Sequence, residues 1–135
     1  MRVIRELDEA RIGELHQLYQ KEWWTNARTL EEVRAVVRGS QLCYGLLNAS
    51  DELVAFARVL TDYIFKALIF DVIVREDFRG QGLGDRLMEL IQAEQKLKAV
   101  QHFELYCLPD MEPFYAHHGY SPEVSGVRLL RRRAR

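Results

Sequence analysis

Three glycines at alternate positions form the stretch of this sequence best suited to ligand chemistry. They lie in Arg79-Gly-Gln-Gly-Leu-Gly84, and a helical pattern begins among them at Leu83. Glycine permits unusual backbone dihedrals and puts no Cβ in the way of a ligand. The first N–H groups of a helix have no partner within it and face the position where an anion would lie. The stretch therefore predicts a phosphate-binding loop, and the alternative is a plain glycine turn.

The spacing around this loop argues against two common phosphate sites. A P-loop needs a Lys-Ser/Thr pair after its last glycine, but Gly84 is followed by Asp85 and Arg86. A dinucleotide-binding fingerprint needs its third glycine at position 85, where this chain has an aspartate. The loop therefore predicts a phosphate site of a different kind.

The elements on either side of the loop must position it. Residues 67–74 are a nearly continuous apolar run, which predicts a strand buried on both faces. After the loop the apolar residues switch to helical spacing, at Leu83, Leu87, Leu90, Ile91 and Leu97. The predicted arrangement is a strand, a glycine-rich loop and a helix N-terminus, in that order.

The remaining segments predict a mixed sheet in a single domain. A short strand at residues 3–4 precedes a helix capped by Asp8, and a second helix begins with a capping box at residues 29–32 and ends at Gly39. Other elements are predicted as strands at 41–47, 52–60 and 102–107, a short helix at 111–118, and a last strand or hairpin within 120–133. Two hairpin-type strands before a βαβ unit imply a mixed sheet with helices on both faces, within one domain over residues 1–135.

Composition and charge narrow the class of protein. The chain has 135 residues, 48% of them hydrophobic and 29% charged, which is typical of a soluble globular domain. A net charge of −1 favours neither nucleic acid nor membrane, and no apolar run is as long as a membrane span or a signal segment. Cys43 and Cys107 both lie in apolar runs and are predicted to be reduced core residues, which favours a cytoplasmic location. The arginine-rich segment 128–135 is predicted to be a solvated tail or an edge strand.

The glycine loop resembles the pyrophosphate loop of the GNAT acyltransferases, Gln/Arg-x-x-Gly-x-Gly/Ala. Arg79, Gly82 and Gly84 occupy its fixed positions, and the order of elements is that of the GNAT fold. The resemblance implies an α/β (α+β) fold, in which helices flank a mixed, mostly antiparallel, twisted sheet with a splayed central pair of strands. It also implies acetyl-CoA as co-substrate, bound by Val72, Ile73, Val74, Arg79, Gly80, Gln81, Gly82, Leu83 and Gly84.

The segment Pro113–Tyr120 resembles a second motif of the family, Phe-Tyr-x-x-x-Gly-Phe. The resemblance implies that Tyr115 contacts the cofactor sulfur and acts as the general acid for the departing thiolate. A phenol of pKa about 10 can donate to a thiolate whose conjugate acid lies near about 8.5. The alternative makes Tyr115 a core aromatic beside Phe114. No set of Cys, His, Asp and Glu residues has metal-ligand spacing, so no metal is expected.

Asp71 is the only carboxylate on the predicted central strand and the candidate base for the attacking amine. A base is needed because an alkylammonium of pKa about 10.4 is protonated at neutral pH. Histone-type members of the family use a strand glutamate, but Leu68 stands at that position here, which weakens support for histone-like lysine acetylation. The alternative makes Asp71 a buried, hydrogen-bonded structural acid. Outlying candidates that could act through water are Glu22, Asp62 and Glu104, and a weakly basic arylamine would need no strong base.

Two adjacent tryptophans interrupt the pattern between the first two helices. In the GNAT fold this loop lies over the end of the cofactor groove, so the predicted acceptor residues are Trp23, Trp24, Asp62 and Tyr63. Aromatic walls favour a flat or apolar amine, and Asp62 could pair with an ammonium group. The alternative places one tryptophan in the core and the other over the sheet.

The resulting functional hypothesis is an N-acetyltransferase. It would transfer an acetyl group from acetyl-CoA to a primary amine of a small molecule, by direct attack in a ternary complex. The alternatives are a protein or peptide amine as acceptor, and a non-catalytic CoA-binding regulatory module. We expect no nucleic-acid or membrane partner, and the sequence leaves a homodimer open.

Overall fold

A five-stranded sheet is the centre of the computed structural model, which describes residues 1–134. The strands are β1 (Arg2–Ile4), β2 (Leu42–Leu47), β3 (Leu53–Thr61), β4 (Lys66–Val74) and β5 (His102–Leu105), and they lie in that order across the sheet. The pairs from β1 to β4 are antiparallel, whereas β5 is parallel to β4. The predicted mixed and mostly antiparallel sheet is confirmed.

Helices and short 3-10 turns connect the strands. The helices are α1 (Glu9–Gln20), α2 (Leu30–Gly39), α3 (Leu83–Gln92) and α4 (Glu112–Ala116), and the 3-10 turns are Glu76–Phe78, Gln95–Leu97 and Pro109–Met111. The helix after the glycine loop therefore ends earlier than its apolar pattern predicts, because Leu97 belongs to a separate turn.

Local side-chain chemistry decides where the first two helices begin and end. The predicted Asp8 cap and the capping box at residues 29–32 are both confirmed. The prediction that Gly39 caps α2 is wrong, because Gly39 is the last helical residue and Ser40 is the C-cap. The Ser40 hydroxyl donates to the Val36 carbonyl at 2.6 Å, so the helix end is satisfied without a left-handed glycine.

Helices pack on both faces of the sheet. On one face, α1 and α2 contribute to a core that also contains strand residues, among them Cys43, Leu47, Phe56 and Ile73. Tyr44 alternates with Cys43 along β2 and therefore points to the opposite face. There its hydroxyl donates to Glu94, just beyond α3, at 2.9 Å. The predicted placement of helices on both faces is confirmed.

The described residues divide into two compact units, Met1–Leu105 and the segment from Tyr106 onward. The second unit contains α4 and a tail, and residues 120–134 form no strand. The predicted terminal strand or hairpin is therefore wrong for the described part of the tail, because left-handed backbone at Ser125 and Gly126 breaks the extended conformation that a strand needs. Arg135, the last residue of the arginine-rich terminus, lies outside the described residues. A single domain over residues 1–135 stays a prediction.

The two cysteines differ in exposure. Cys43 is buried and Cys107 is exposed, and both are free thiols. The prediction that Cys107 is a core residue is wrong, because β5 ends at Leu105, before the chain reaches it. Within residues 1–134, no helix has both the length and the apolar character needed to cross a bilayer.

Candidate functional site

Strands β4 and β5 pair over only part of their length, which leaves one edge of β4 open. Their register runs from Lys66 opposite His102 to Ile69 opposite Leu105, where β5 ends. Strand β4 continues to Val74 with β3 on its other side. The two central strands therefore part at the segment 70–74, and this is the splayed pair that the resemblance implied.

Backbone groups of Val72 and Val74 face this open edge. The Arg75 N–H donates to the Val54 carbonyl of β3 at 2.8 Å. Successive residues of an antiparallel strand alternate between facing the partner strand and facing away from it. Ile73 therefore faces β3, whereas Val72 and Val74 face outward. Ile73, which was also predicted to bind the cofactor, contributes a buried side chain to the core.

A β-bulge in β4 sets the direction of the Asp71 side chain. Phe56 pairs with Ile73 and Arg58 pairs with Phe70, so two residues of β4 oppose one residue of β3 between these pairs. Asp71 lies in the bulge with a φ of 56°, a left-handed conformation that aspartate tolerates better than most residues. The bulge brings Asp71 onto the same face of the sheet as Arg58, toward α1.

Asp71 is a buried carboxylate held by two guanidinium groups and a phenol. Its Oδ2 accepts from Arg28 Nη1 at 2.6 Å, from Arg58 Nε at 2.7 Å and from the Tyr19 hydroxyl at 2.9 Å, and its Oδ1 accepts from Arg28 Nη2 at 3.2 Å. Burial alone would raise the pKa of Asp71, but the hydrogen bonds and charges of the two arginines outweigh it and hold the pKa below its usual value. The geometry favours the structural alternative for Asp71, and its role as a base stays a prediction.

The glycine loop has the geometry of an anion site. Gly80 and Gly82 have φ values of 76° and 81°, which favour glycine, and Gly82 is the N-cap of α3. A Cβ built on either glycine would meet no atom within 4 Å among the described residues, so the backbone faces open space. Leu83 and Gly84 open α3, and N–H groups in a first helical turn bind anions. The loop therefore fits the diphosphate of acetyl-CoA, and the open edge of β4 fits its amide-containing arm.

The Arg79 side chain connects the open strand edge to the end of α1. Its Nε donates to the Val74 carbonyl at 3.1 Å, and its Nη2 pairs with the carboxylate of Glu22. Leu18 and Lys21 line the same small cleft. Glu22, one of the outlying base candidates, is therefore engaged in an ion pair with a predicted cofactor-binding residue.

Tyr115 lies on α4 and packs among aromatic side chains of the second unit. The ring centroids of Phe114 and Tyr120 are 4.9 Å and 6.1 Å from that of Tyr115. Burial, and to a smaller extent the nearby Cys107, raise the pKa of Tyr115 to about 12. The phenol therefore stays protonated at neutral pH, as a general acid must, and that role stays a prediction.

The predicted acceptor residues lie in two separate loops. Trp23 and Trp24 follow α1 and are 71% and 41% exposed, so neither fills the core. Asp62 and Tyr63 lie between β3 and β4, where the Asp62 Oδ1 accepts from the N–H groups of residues 64, 65 and 66 at 2.9, 2.8 and 3.1 Å. Across residues 1–134, no hydrogen bond or ring contact joins the two tryptophans to Asp62 or Tyr63.

The other titratable candidates are paired or dispersed. Glu104, an outlying base candidate, forms a salt bridge with Lys66 at 2.7 Å. In the part of the chain that the structure describes, no group of three His, Cys, Asp or Glu residues could hold a metal ion. The expectation that the chain uses no metal stays a prediction.

Sequence reasoning missed the partners of Asp71, although a signal was present for one of them. Arg58 is the only charged residue in the apolar segment 53–60, and Asp71 is the only one in 67–74. Since buried charges require partners, one opposite charge in each of two successive apolar strands predicts that the two pair. Arg28 carries no such signal, because it lies in a polar loop.

Comparison with known proteins agrees with the geometry. The family profile described as the acetyltransferase (GNAT) domain matches residues 39–122. The uncharacterized N-acetyltransferase ycf52 of Porphyra purpurea is 31% identical over 120 residues, which are 87% of this chain and 68% of that protein. Serotonin N-acetyltransferase 2, chloroplastic, of Oryza sativa subsp. japonica is 29% identical over 120 residues, covering 87% of this chain and 60% of that protein.

A solved structure gives the same result for the fold. The crystal structure of an acetyltransferase assigned to the GNAT family, from Xanthomonas campestris pv. campestris, superimposes with a TM-score of 0.84. The two chains are 29% identical, and the match covers 98% of this chain and 94% of that one. The chain described here belongs to the GNAT family and is an acetyltransferase.

Proposed function

We propose that this chain transfers an acetyl group from acetyl-CoA to a primary amine of a small molecule, by direct attack in a ternary complex. The observation that carries the proposal is the open edge of β4, which leads along residues 70–74 to the glycine loop. The edge offers backbone N–H and C=O groups to amides, and the loop offers helix N–H groups to phosphates. Acetyl-CoA carries both kinds of group in that order along its length.

Each part of the site has its own task in this proposal. Bound acetyl-CoA supplies an activated acetyl thioester. Backbone groups of Val72 and Val74 hold the amide arm, and N–H groups of residues 80–84, including Gln81, hold the diphosphate, because the Arg79 N–H already donates to the Glu76 carbonyl. By resemblance to the family, Tyr115 of the second unit is the general acid, which would donate its proton to the departing sulfur as the C–N bond to the amine forms and the C–S bond breaks. Because the pKa of Tyr115 is about 12, its phenolate would regain a proton from water after each turnover.

The amine proton needs an acceptor other than Asp71. That carboxylate is saturated with hydrogen bonds and its pKa is lowered, so it is a weak base. A weakly basic amine such as an arylamine would arrive deprotonated, and Glu22 or Glu104 could take a proton through water. We therefore expect kcat/KM to rise with pH up to the pKa of the acceptor amine itself.

Two observations support a small-molecule acceptor. The rice relative is named for serotonin, a small aromatic amine. In this chain Trp23 is largely exposed and Trp24 partly so, which leaves aromatic surface for an acceptor to contact. The cytoplasmic location, the lack of nucleic-acid or membrane partners and the open question of a homodimer stand as sequence-based predictions.

The direct test is release of coenzyme A in the presence of a panel of acceptors. The panel contains alkylamines, arylalkylamines, arylamines, amino acids and a lysine-containing peptide, and calorimetry measures acetyl-CoA binding in parallel. We expect micromolar acetyl-CoA binding together with turnover of at least one small amine. Binding without turnover of any acceptor supports the non-catalytic module, and turnover of the peptide alone contradicts the small-molecule proposal.

A further inference from the structure

The cluster around Asp71 carries more positive than negative charge. Two guanidinium groups, those of Arg28 and Arg58, contact this one carboxylate. Among residues 1–134, neither arginine forms a salt bridge with any other carboxylate. Tyr19, the third partner, is neutral because burial and the neighbouring Asp71 raise its pKa. The cluster thus has a net charge of +1, and placing an uncompensated charge in a partly buried site is unfavourable.

The excess charge reaches the protein surface. The Arg28 side chain is 28% exposed. The Arg58 side chain is 11% exposed, and its Nε and Nη1 already donate to Asp71 and to the Ser40 hydroxyl. Arg28 therefore presents the larger contact surface to a molecule that approaches from outside, and Arg58 presents a smaller one beside it.

Both guanidinium groups are also held in place. The Arg28 guanidinium lies 4.8 Å from the centre of the Tyr19 ring, and the Arg28 carbonyl accepts from Gln20 Nε2 at 3.0 Å. The Arg58 guanidinium lies 5.0 Å from the centre of the Phe70 ring. Because these side chains are already ordered, little conformational entropy is lost when an anion binds to them.

The cluster lies where an acceptor would meet the cofactor. Asp71 is two residues beyond Ile69, the last residue of β4 that pairs with β5, which is about 7 Å along a strand. Phe70 pairs with Arg58, and Leu68 pairs with Leu60, so both side chains lie on the face of the sheet that carries Arg58. Both are only half buried. They provide a partly open apolar floor beside the two charges.

Resting on the proposed acetyltransferase function, we propose that Arg28 and Arg58 bind a carboxylate group of the acceptor. The acceptor is then an amine that also carries a carboxylate, as an amino acid does. One further carboxylate brings the cluster to two positive and two negative charges. A guanidinium group suits this partner because its planar array of N–H groups matches the two oxygens of a carboxylate.

The test compares each of the common L-amino acids with its own carboxamide as acceptor for the 135-residue chain. We measure kcat/KM for both and take the ratio of acid to amide for every pair. A charged hydrogen-bonded contact changes affinity by about 10- to 100-fold, so the best acceptor should show a ratio of about 10 or more. The less basic amino group of the amide favours the amide, so deprotonation cannot produce this preference.

Three variants assign the preference to the cluster. In Arg28→Gln and in Arg58→Gln the ratio should fall to between about 1 and 3. In Arg34→Gln, which removes an arginine of α2 paired with Glu9, the ratio should equal that of the wild type. Arg58→Gln removes a partner of buried Asp71. If that variant does not fold, the ratio in Arg28→Gln decides whether the cluster binds the carboxylate.

The outcomes separate this inference from the proposed function. A wild-type ratio near 1 or below, with turnover of other amines, overturns the carboxylate site and leaves the acetyltransferase proposal standing. A high ratio that persists in the Arg28→Gln variant overturns the assignment to this cluster. If acetyl-CoA binds but no amine of any class is acetylated, the proposed function and this inference both fail.

Discussion

Replacing Asp71 by Asn tests whether this residue stabilises the fold or carries the chemistry. The substitution removes one negative charge and leaves the size of the side chain almost unchanged. Asn tolerates the left-handed φ of 56° at least as well as Asp, so backbone strain is not introduced. The effect therefore reports the loss of the charged contacts with Arg28 and Arg58.

The expected loss of stability follows from the burial of the cluster. Removing one partner of a buried ion pair typically costs about 3–5 kcal/mol. The side chain of Asp71 is only 4% exposed, but that of Arg28 is 28% exposed and can regain water, so we expect the lower end, about 3 kcal/mol. With an m-value of about 1.5 kcal/mol per molar urea, the unfolding midpoint should fall by about 2 M.

The effect should depend on pH in a defined direction. The pKa of Asp71 is lower in the folded chain than in the unfolded one, where it is about 3.9. Its contribution is therefore fully present above that unfolded value and is lost as the pH falls through the folded value. The difference between wild type and Asp71→Asn should be constant from about pH 6 to 8 and should shrink below about pH 4.

The measurement is the urea midpoint of unfolding, monitored by circular dichroism at pH 7 and at several acidic pH values. The matched control is Asp77→Asn, which removes an exposed carboxylate paired with Arg75 and should change the midpoint little. A midpoint for Asp71→Asn equal to that of the control would refute the structural role. If kcat then fell by about 100-fold or more while stability held, Asp71 would be the base after all.

Three further predictions concern the cofactor and the acceptor. Gly82→Val should abolish acetyl-CoA binding in calorimetry, because it adds a side chain where the backbone faces open space and where φ is positive. The control Gly13→Val in α1 should leave acetyl-CoA binding unchanged. Wild-type affinity in Gly82→Val would show that the glycine loop does not bind the cofactor. Tyr115→Phe should lower kcat by about 100-fold with the fold intact. An unchanged kcat and acetyl-CoA KM would show that Tyr115 is a packing residue and not the general acid. Trp23→Leu and Trp24→Leu should each raise the acceptor KM without affecting acetyl-CoA binding, and a loss of thermal stability alone would place the acceptor pocket elsewhere.

The sequence alone determined the strands, turns and helix ends that depend on residues close together along the chain. The apolar run at 67–74, the glycines after it and the helical spacing from Leu83 are local patterns, and the structure has β4, the loop and α3 in those places. The capping box at residues 29–32 is equally local. Errors occurred where a local pattern had an alternative, as at Gly39, where a serine hydroxyl closes the helix instead.

The tertiary structure decided which distant side chains meet. Asp71 is separated by 43 residues from Arg28 and by 52 from Tyr19, and no periodicity relates positions so far apart. The bulge that turns Asp71 toward α1 arises from the register between β3 and β4, which single-strand patterns do not specify. The open edge of β4 likewise exists because β5 stops at Leu105, a length set by pairing between strands rather than by the composition of either one.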